Sequence, residues 1–279
     1  MLTKKTMIAY LSSSAVIGIT LAVWRIMLML KYFDPYNNEY SADAKIPLQI
    51  LGYTVCISLV LMASAYFFIR KQSFASFSAS ESQASVFSSA LLGFVFAAVA
   101  VLILIYYSGT LFTSGSHPFF KIIRILSFLL LLFSAVYFIA NAADSRVPAK
   151  TKQILSFFPT LWALSFLVAS YINPAYNYTD PNHNLCNISI AALLLFFLFE
   201  TKTAVTGKST PARFIFSLIA LICTMVYILP IFILMAFWEL STGLDVLFEA
   251  VECGAIFYIF SVMRAMIVAV KPKETANET

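Results

Sequence analysis

The sequence predicts an all-α, polytopic transmembrane helical bundle of about eight spans, a single integral membrane domain over residues 1–279 with both termini cytoplasmic. Three observations carry that reading. The chain is 61% hydrophobic and only 11% charged, with a mean hydropathy of +0.88, whereas soluble domains carry about 25% charged residues. Its apolar residues gather into eight runs near the roughly 20 residues needed to cross a hydrocarbon core about 30 Å thick. Twelve of the 18 basic residues fall on one side when those runs are threaded back and forth, with Lys31, Lys45, Lys121 and Arg124 on the other.

The runs cover residues 7–30, 47–69, 86–107, 122–143, 154–172, 186–201, 213–238 and 244–270. The first follows Lys4 and Lys5 and outlasts the apolar core of a signal peptide. It also lacks a small-x-small cleavage site before Trp24 and Arg25, so it is expected to remain as a span. The sixth is the shortest. Lys4, Lys5, Arg70, Lys71, Arg146, Lys150, Lys152, Lys202, Lys208, Arg213, Lys271 and Lys273 then lie on one face of the membrane. The opposite loops collect Asp34, Glu39, Asp43, Asp180, Glu239 and Asp245. Positive charge marks the cytoplasmic side, and only an even number of spans preserves this alternation.

The loops read as connectors. Those on the expected outer side, around Asp34-Pro35 and from Asn173-Pro174 to Asp180-Pro181, combine turn-forming Asp-Pro or Asn-Pro with interfacial Tyr. The inner segment after Arg70, rich in Ser and Ala, fits either a short amphipathic piece on the membrane surface or a solvated linker. ILSF occurs at residues 125–128 and 154–157, which fits a repeated two-helix unit or simple interfacial aromatic enrichment.

Several chemistries are disfavoured. The net charge of +5 is spread in short clusters rather than a stripe, so nucleic acid is not an expected partner. Cys56, Cys186, Cys223 and Cys253 show no CxxC or Cys/His spacing, and three of them lie in apolar runs, as buried small hydrophobes do. Gly207-Lys208-Ser209-Thr210 resembles the end of a phosphate-binding loop, but Lys202 stands where its first Gly belongs and a membrane span precedes it. A basic turn explains it. His117 and His183 both fall in expected outer loops, away from any metal-binding pattern. Asn177-Tyr178-Thr179 and Asn187-Ile188-Ser189 match the glycosylation acceptor. No cofactor is expected, and no catalytic motif is visible.

Charge inside the spans is the sharper signal, because bilayers tolerate it reluctantly. The candidate intramembrane polar residues are Arg25, Glu249, Glu252, Glu200 and Arg264. Asp245, Glu249 and Glu252 are spaced i, i+4, i+7 and share one helix face. Arg25 is expected at a similar depth, near the outer interface. Three readings stay open: Arg25 pairs with Glu249 or Glu252, each group snorkels separately to the headgroups, or together they line a water-filled vestibule. Arg264 is about 18 Å beyond Glu252 along the helix. It is at a depth to meet Glu200, or each caps its own helix end. Pro230 in the seventh run is expected to kink its helix, and Pro159 to sit in a first turn.

An Arg late in the first run before an Asp-Pro loop, here Arg25 and Asp34-Pro35, with Pro159 and Trp162 as Pro-x-x-Trp in the fifth, resembles uncharacterised multi-pass membrane proteins of clostridial-type Gram-positive bacteria. After Asp-Pro the chain departs from their Thr-Gly-Phe-like turn with Tyr36, Asn37 and Asn38. No activity is attached to such proteins, so the resemblance implies a compartment and nothing catalytic. The expected location is the cell membrane, with the lipid bilayer and a membrane protein partner or homo-oligomer as partners. Two functions lead: a non-enzymatic membrane subunit or sensor acting with a partner, and a small secondary transporter or permease using the polar face of the last span. An intramembrane enzyme is a distant third.

Overall fold

A computed structural model describes residues 2–34, 39–70, 83–113, 118–143, 147–172, 181–238 and 244–269. Among these, eight helical stretches are long and apolar enough to cross a membrane. Helices satisfy every backbone donor and acceptor within one segment, which is what a solvent without hydrogen bonds demands. The first span is α1 (Leu2–Tyr32) and the second is α2 (Lys45–Ala63) continued by α3 (Ala65–Ile69). The third and fourth are α4 (Gln83–Thr113) and α5 (Pro118–Ala142), and the fifth is α6 (Ala149–Leu155) continued by α7 (Phe157–Ile172). The last three are α8 (Pro181–Thr206), α9 (Pro211–Trp238) and α10 (Leu244–Ala269). Between α1 and α2 a two-residue antiparallel ribbon, β1 (Phe33–Asp34) with β2 (Glu39–Tyr40), pairs Phe33 with Tyr40. A 3₁₀ turn (Ala42–Ala44) follows it.

The sixth span corrects the hydropathy boundary most. It begins at Pro181 rather than at residue 186 and runs for 26 residues. Apolar scales reject Asn182 and His183, yet His183 is buried inside the bundle with Asn187 as its partner. Proline is well placed at the first helical position, where its missing N–H would be unpaired anyway. His183 is therefore a helix residue and not a loop residue. Asn187, buried within α8, cannot serve as a glycosylation acceptor. Asn177, His117 and the inner segment at residues 71–82 lie outside the described residues.

The helices α4, α5, α7, α8, α9 and α10 pack in a closed ring, each against the next and α10 back against α4. Aromatic side chains fill it. Phe96 stacks on Phe138 at 5.5 Å and meets Trp162 edge-on at 5.0 Å. Phe138 also meets Phe197 at 6.0 Å and Tyr258 at 5.1 Å. These separations lie in the favourable range for ring pairs, about 4.5–7 Å. Helices α1 and α2 pack on the outside of α9. Only 22% of the second span's apolar window is buried, against 67% for the spans of α9 and α10, so the former is a perimeter helix and the latter two are central. Lys4 Nζ donates to the Val268 carbonyl at 3.2 Å, which brings the start of α1 and the end of α10 to one end of the bundle. That end is called the terminal end below, and the other the far end.

Glycine sets one helix contact. A Cβ at Gly93 on α4 would meet Ile139 Cγ1 at 2.9 Å and the Ile139 backbone nitrogen at 3.1 Å, whereas one at Gly52 on α2 meets nothing within 4 Å. Gly93→Val is therefore expected to push α4 from α5 and lower stability in detergent by about 1–3 kcal/mol. Gly52→Ala should leave it unchanged or slightly raised. Thermal unfolding followed by size exclusion reads both, and equal midpoints for the two variants would contradict the close approach.

Candidate functional site

Pro230 lies inside α9 and has no N–H, so the Val226 carbonyl four residues earlier loses its helical donor. Arg25 replaces it from α1. Its Nη1 donates to the Val226 carbonyl at 2.9 Å and to the Tyr227 carbonyl at 2.5 Å, and the guanidinium lies over the Tyr227 ring at 5.3 Å. Its Nη2 donates to Asn182 Oδ1 at 2.8 Å, and the Tyr40 hydroxyl donates to the same oxygen at 3.1 Å. Arg25 is wholly buried, and its Nε has no partner. The guanidinium thus sits beside the middle of α9 and does not snorkel to a headgroup.

Two carboxylates come from α10. Glu252 is 0% exposed and Glu249 is 6% exposed. Three residues apart, they project from one helix face. Opposite them α8 presents Asn182, Cys186 and Ser189 at the same i, i+4, i+7 spacing. Ser189 Oγ donates to Glu252 Oε2, and Cys186 Sγ donates to Glu249 Oε1 at 3.6 Å. The second oxygen of Glu252 has no partner. Arg25 and Glu249 both act on Glu252 electrostatically. Arg25, Glu249 and Glu252 therefore belong to one buried cluster, but the guanidinium is bonded to backbone carbonyls and Asn182 rather than to a carboxylate.

The flank toward α7 is polar as well. Ser170 Oγ donates to Asn187 Oδ1 at 2.8 Å, and Asn187 Nδ2 donates to His183 Nε2 at 3.0 Å. Sequence reasoning missed Asn182, His183, Cys186, Ser189 and Tyr227. The signal available was the α8 spacing, which repeats that of the acidic residues on α10.

A second cluster lies toward the terminal end. Glu200 near the end of α8 pairs with Arg213 in the first turn of α9 at 2.5 Å, with both side chains buried. The Tyr258 hydroxyl donates to Glu200 Oε1 at 3.3 Å, and Arg213 Nη1 donates to Ser209 Oγ at 3.4 Å. Of the two readings left open for Glu200 and Arg264, the meeting of the two does not occur, since Glu200 is paired with Arg213. The α8–α9 connection is a tight turn at Gly207, whose φ of 66° only glycine adopts freely, and its N–H closes the helix on the Thr203 carbonyl at 2.9 Å. That turn folds Arg213 back beside Glu200. Arg264 is exposed, on the stripe of α10 that also carries Phe257, Phe260 and Val268. The basic turn reading of residues 207–210 agrees with this geometry. Pro159 lies in the first turn of α7, and the nearby Ser156 carbonyl accepts from Thr201 Oγ1 at 2.6 Å.

The cysteines divide. Cys186 and Cys223 are buried, Cys253 is partly buried, and Cys56 on perimeter helix α2 is exposed. No family model, curated protein or solved structure matches the chain.

The Arg25 to Pro230 relation gives a direct test. Arg25→Leu strips donors from two carbonyls and Asn182, and each buried acceptor left unpaired costs about 1–3 kcal/mol. Pro230→Ala returns an N–H to the Val226 carbonyl. In that background the cost of Arg25→Leu is expected to fall by about 1 kcal/mol, as read by a double-mutant cycle on unfolding in mixed micelles. Additive costs would refute the relation.

Proposed function

We propose that the chain is a small secondary transporter or permease of the cell membrane, with its solute path at the polar faces of α8, α9 and α10. The observation that supports it most is the wholly buried Arg25 and Glu252 within the spans, each with an atom that no neighbour bonds. Intramembrane charge of this kind marks ion and solute pathways. A merely structural role is served as well or better by apolar residues of the same volume. Secondary carriers commonly place their sites near mid-membrane beside irregular helix hydrogen bonding, and Pro230 removes one backbone bond from α9 there while the helix continues through it. In this conformation the Glu200–Arg213 pair and Tyr258 close the terminal-end side, and Phe196 and Phe197 stand between the two clusters along α8.

The second reading is a non-enzymatic subunit or sensor that works through a partner. The dense aromatic filling of the ring favours it, because a rigid scaffold needs no path. Both readings keep the termini cytoplasmic, on the strength of the basic loops.

Glu249→Gln and Glu252→Gln are each expected to abolish uptake in a screen of labelled small solutes while expression in the membrane holds. Wild-type uptake in both variants would remove the transporter reading, and a stoichiometric partner co-purified from native membranes would favour the second. Single cysteines introduced at residues 5 and 279 are expected to react with a membrane-impermeant maleimide only after the cells are opened. Labelling of either in intact cells would overturn the orientation.

A further inference from the structure

Glu252 is a buried acidic group with one of its two carboxyl oxygens unbonded. It is 0% exposed, Oε2 is bonded by Ser189, and Oε1 has no partner. The groups around it come from several helices packed against α10, to which α5 and α7 add the rings of Phe138 and Phe166. From α1 there is Arg25, already committed to two carbonyls and Asn182. From α8 there are Ser189, Cys186 and His183. From α9 there are Cys223 and Tyr227, and on α10 itself Glu249 and Cys253. On the α4 side, Leu92 and Val95 lie against Gly254, and both are apolar.

A carboxylate in hydrocarbon requires several donors or a bonded cation, and an unbonded ionised oxygen there is costly. One hydroxyl and a guanidinium occupied elsewhere do not meet that need. A neutral carboxylic acid does fit, since it carries no net charge and keeps its bond with Ser189. A metal cation fits less well, because it needs several further oxygen ligands, and Ser189 is the hydroxyl bonded to this carboxyl. We propose that Glu252 is a proton-binding site, and that it is the coupling site of the carrier inferred above. The proton is taken up on the carboxylate when the cluster opens to water, is carried through the closed form, and is released to water on the other side. No bond other than O–H forms or breaks.

The part of this proposal that concerns proton binding is tested on the purified full-length protein in nanodiscs, with no solute present. Its success therefore does not depend on identifying a solute. The infrared carbonyl stretch of a protonated carboxylic acid is expected at neutral pH, shifted by D₂O, and lost in Glu252→Gln. Ser189→Ala is the second variant, and it should keep the band but move its frequency, because the hydroxyl bonded to that carboxyl is gone. Circular dichroism and size exclusion establish that both variants are folded. A spectrum of Glu252→Gln that retains the wild-type band overturns the proposal. So does a band that disappears when sodium chloride replaces choline chloride at constant pH, which would make the site a sodium site. Band loss in Glu252→Gln combined with no uptake of any solute would leave the proton site standing and remove only the transport reading.

Discussion

The unpaired carbonyl that Pro230 leaves on α9 organises the far half of this protein. A helix in lipid has no water to turn to, so the missing donor has to come from another helix, and it comes from Arg25 on α1. A guanidinium has five N–H groups, which lets the same side chain bond Val226, Tyr227 and Asn182 at once. One proline thereby fixes the position of α1 against α9 and of both against the start of α8. Once a cation is enclosed there, carboxylates on α10 can be enclosed too.

The same constraint operates at the opposite end in a different form. Glu200 and Arg213 satisfy each other directly, and Thr201 supplies the Ser156 carbonyl beside Pro159. Each cluster leaves a guanidinium Nε unbonded, on Arg213 and on Arg25, but at the far end a carboxylate oxygen, Glu252 Oε1, is without a partner as well. The two clusters thus differ in how their acidic member is satisfied, since Glu200 is paired with a guanidinium and Glu252 is bonded by a hydroxyl.

The bundle was legible in the sequence because hydropathy and length follow directly from the bilayer. The eight runs of apolar residues match eight helices, and the errors concentrate where polar residues enter the membrane in company. Asn182 and His183 cost too much on a scale that treats each residue alone, so the sixth span was cut short and those two residues of the site with it. Arg25, Glu249 and Glu252 could be singled out by their sign, but their mutual arrangement depends on Pro230, a residue whose effect is felt through a carbonyl four positions away. Arg264 misled because depth along a helix says nothing of which side its neighbours cover. Arg213 was read for topology alone, yet the Gly207 turn brings it to Glu200.

The ribbon of Phe33–Asp34 and Glu39–Tyr40 is small, but its Tyr40 hydroxyl ends on the same Asn182 oxygen that receives Arg25. That oxygen has two lone pairs, and both are engaged. The surface hairpin and the proline break in α9 are consequently linked in series through three side chains, like two ends of a tie rod. A molecule that draws the hairpin toward or away from the membrane surface pulls on the middle of α9 without touching it.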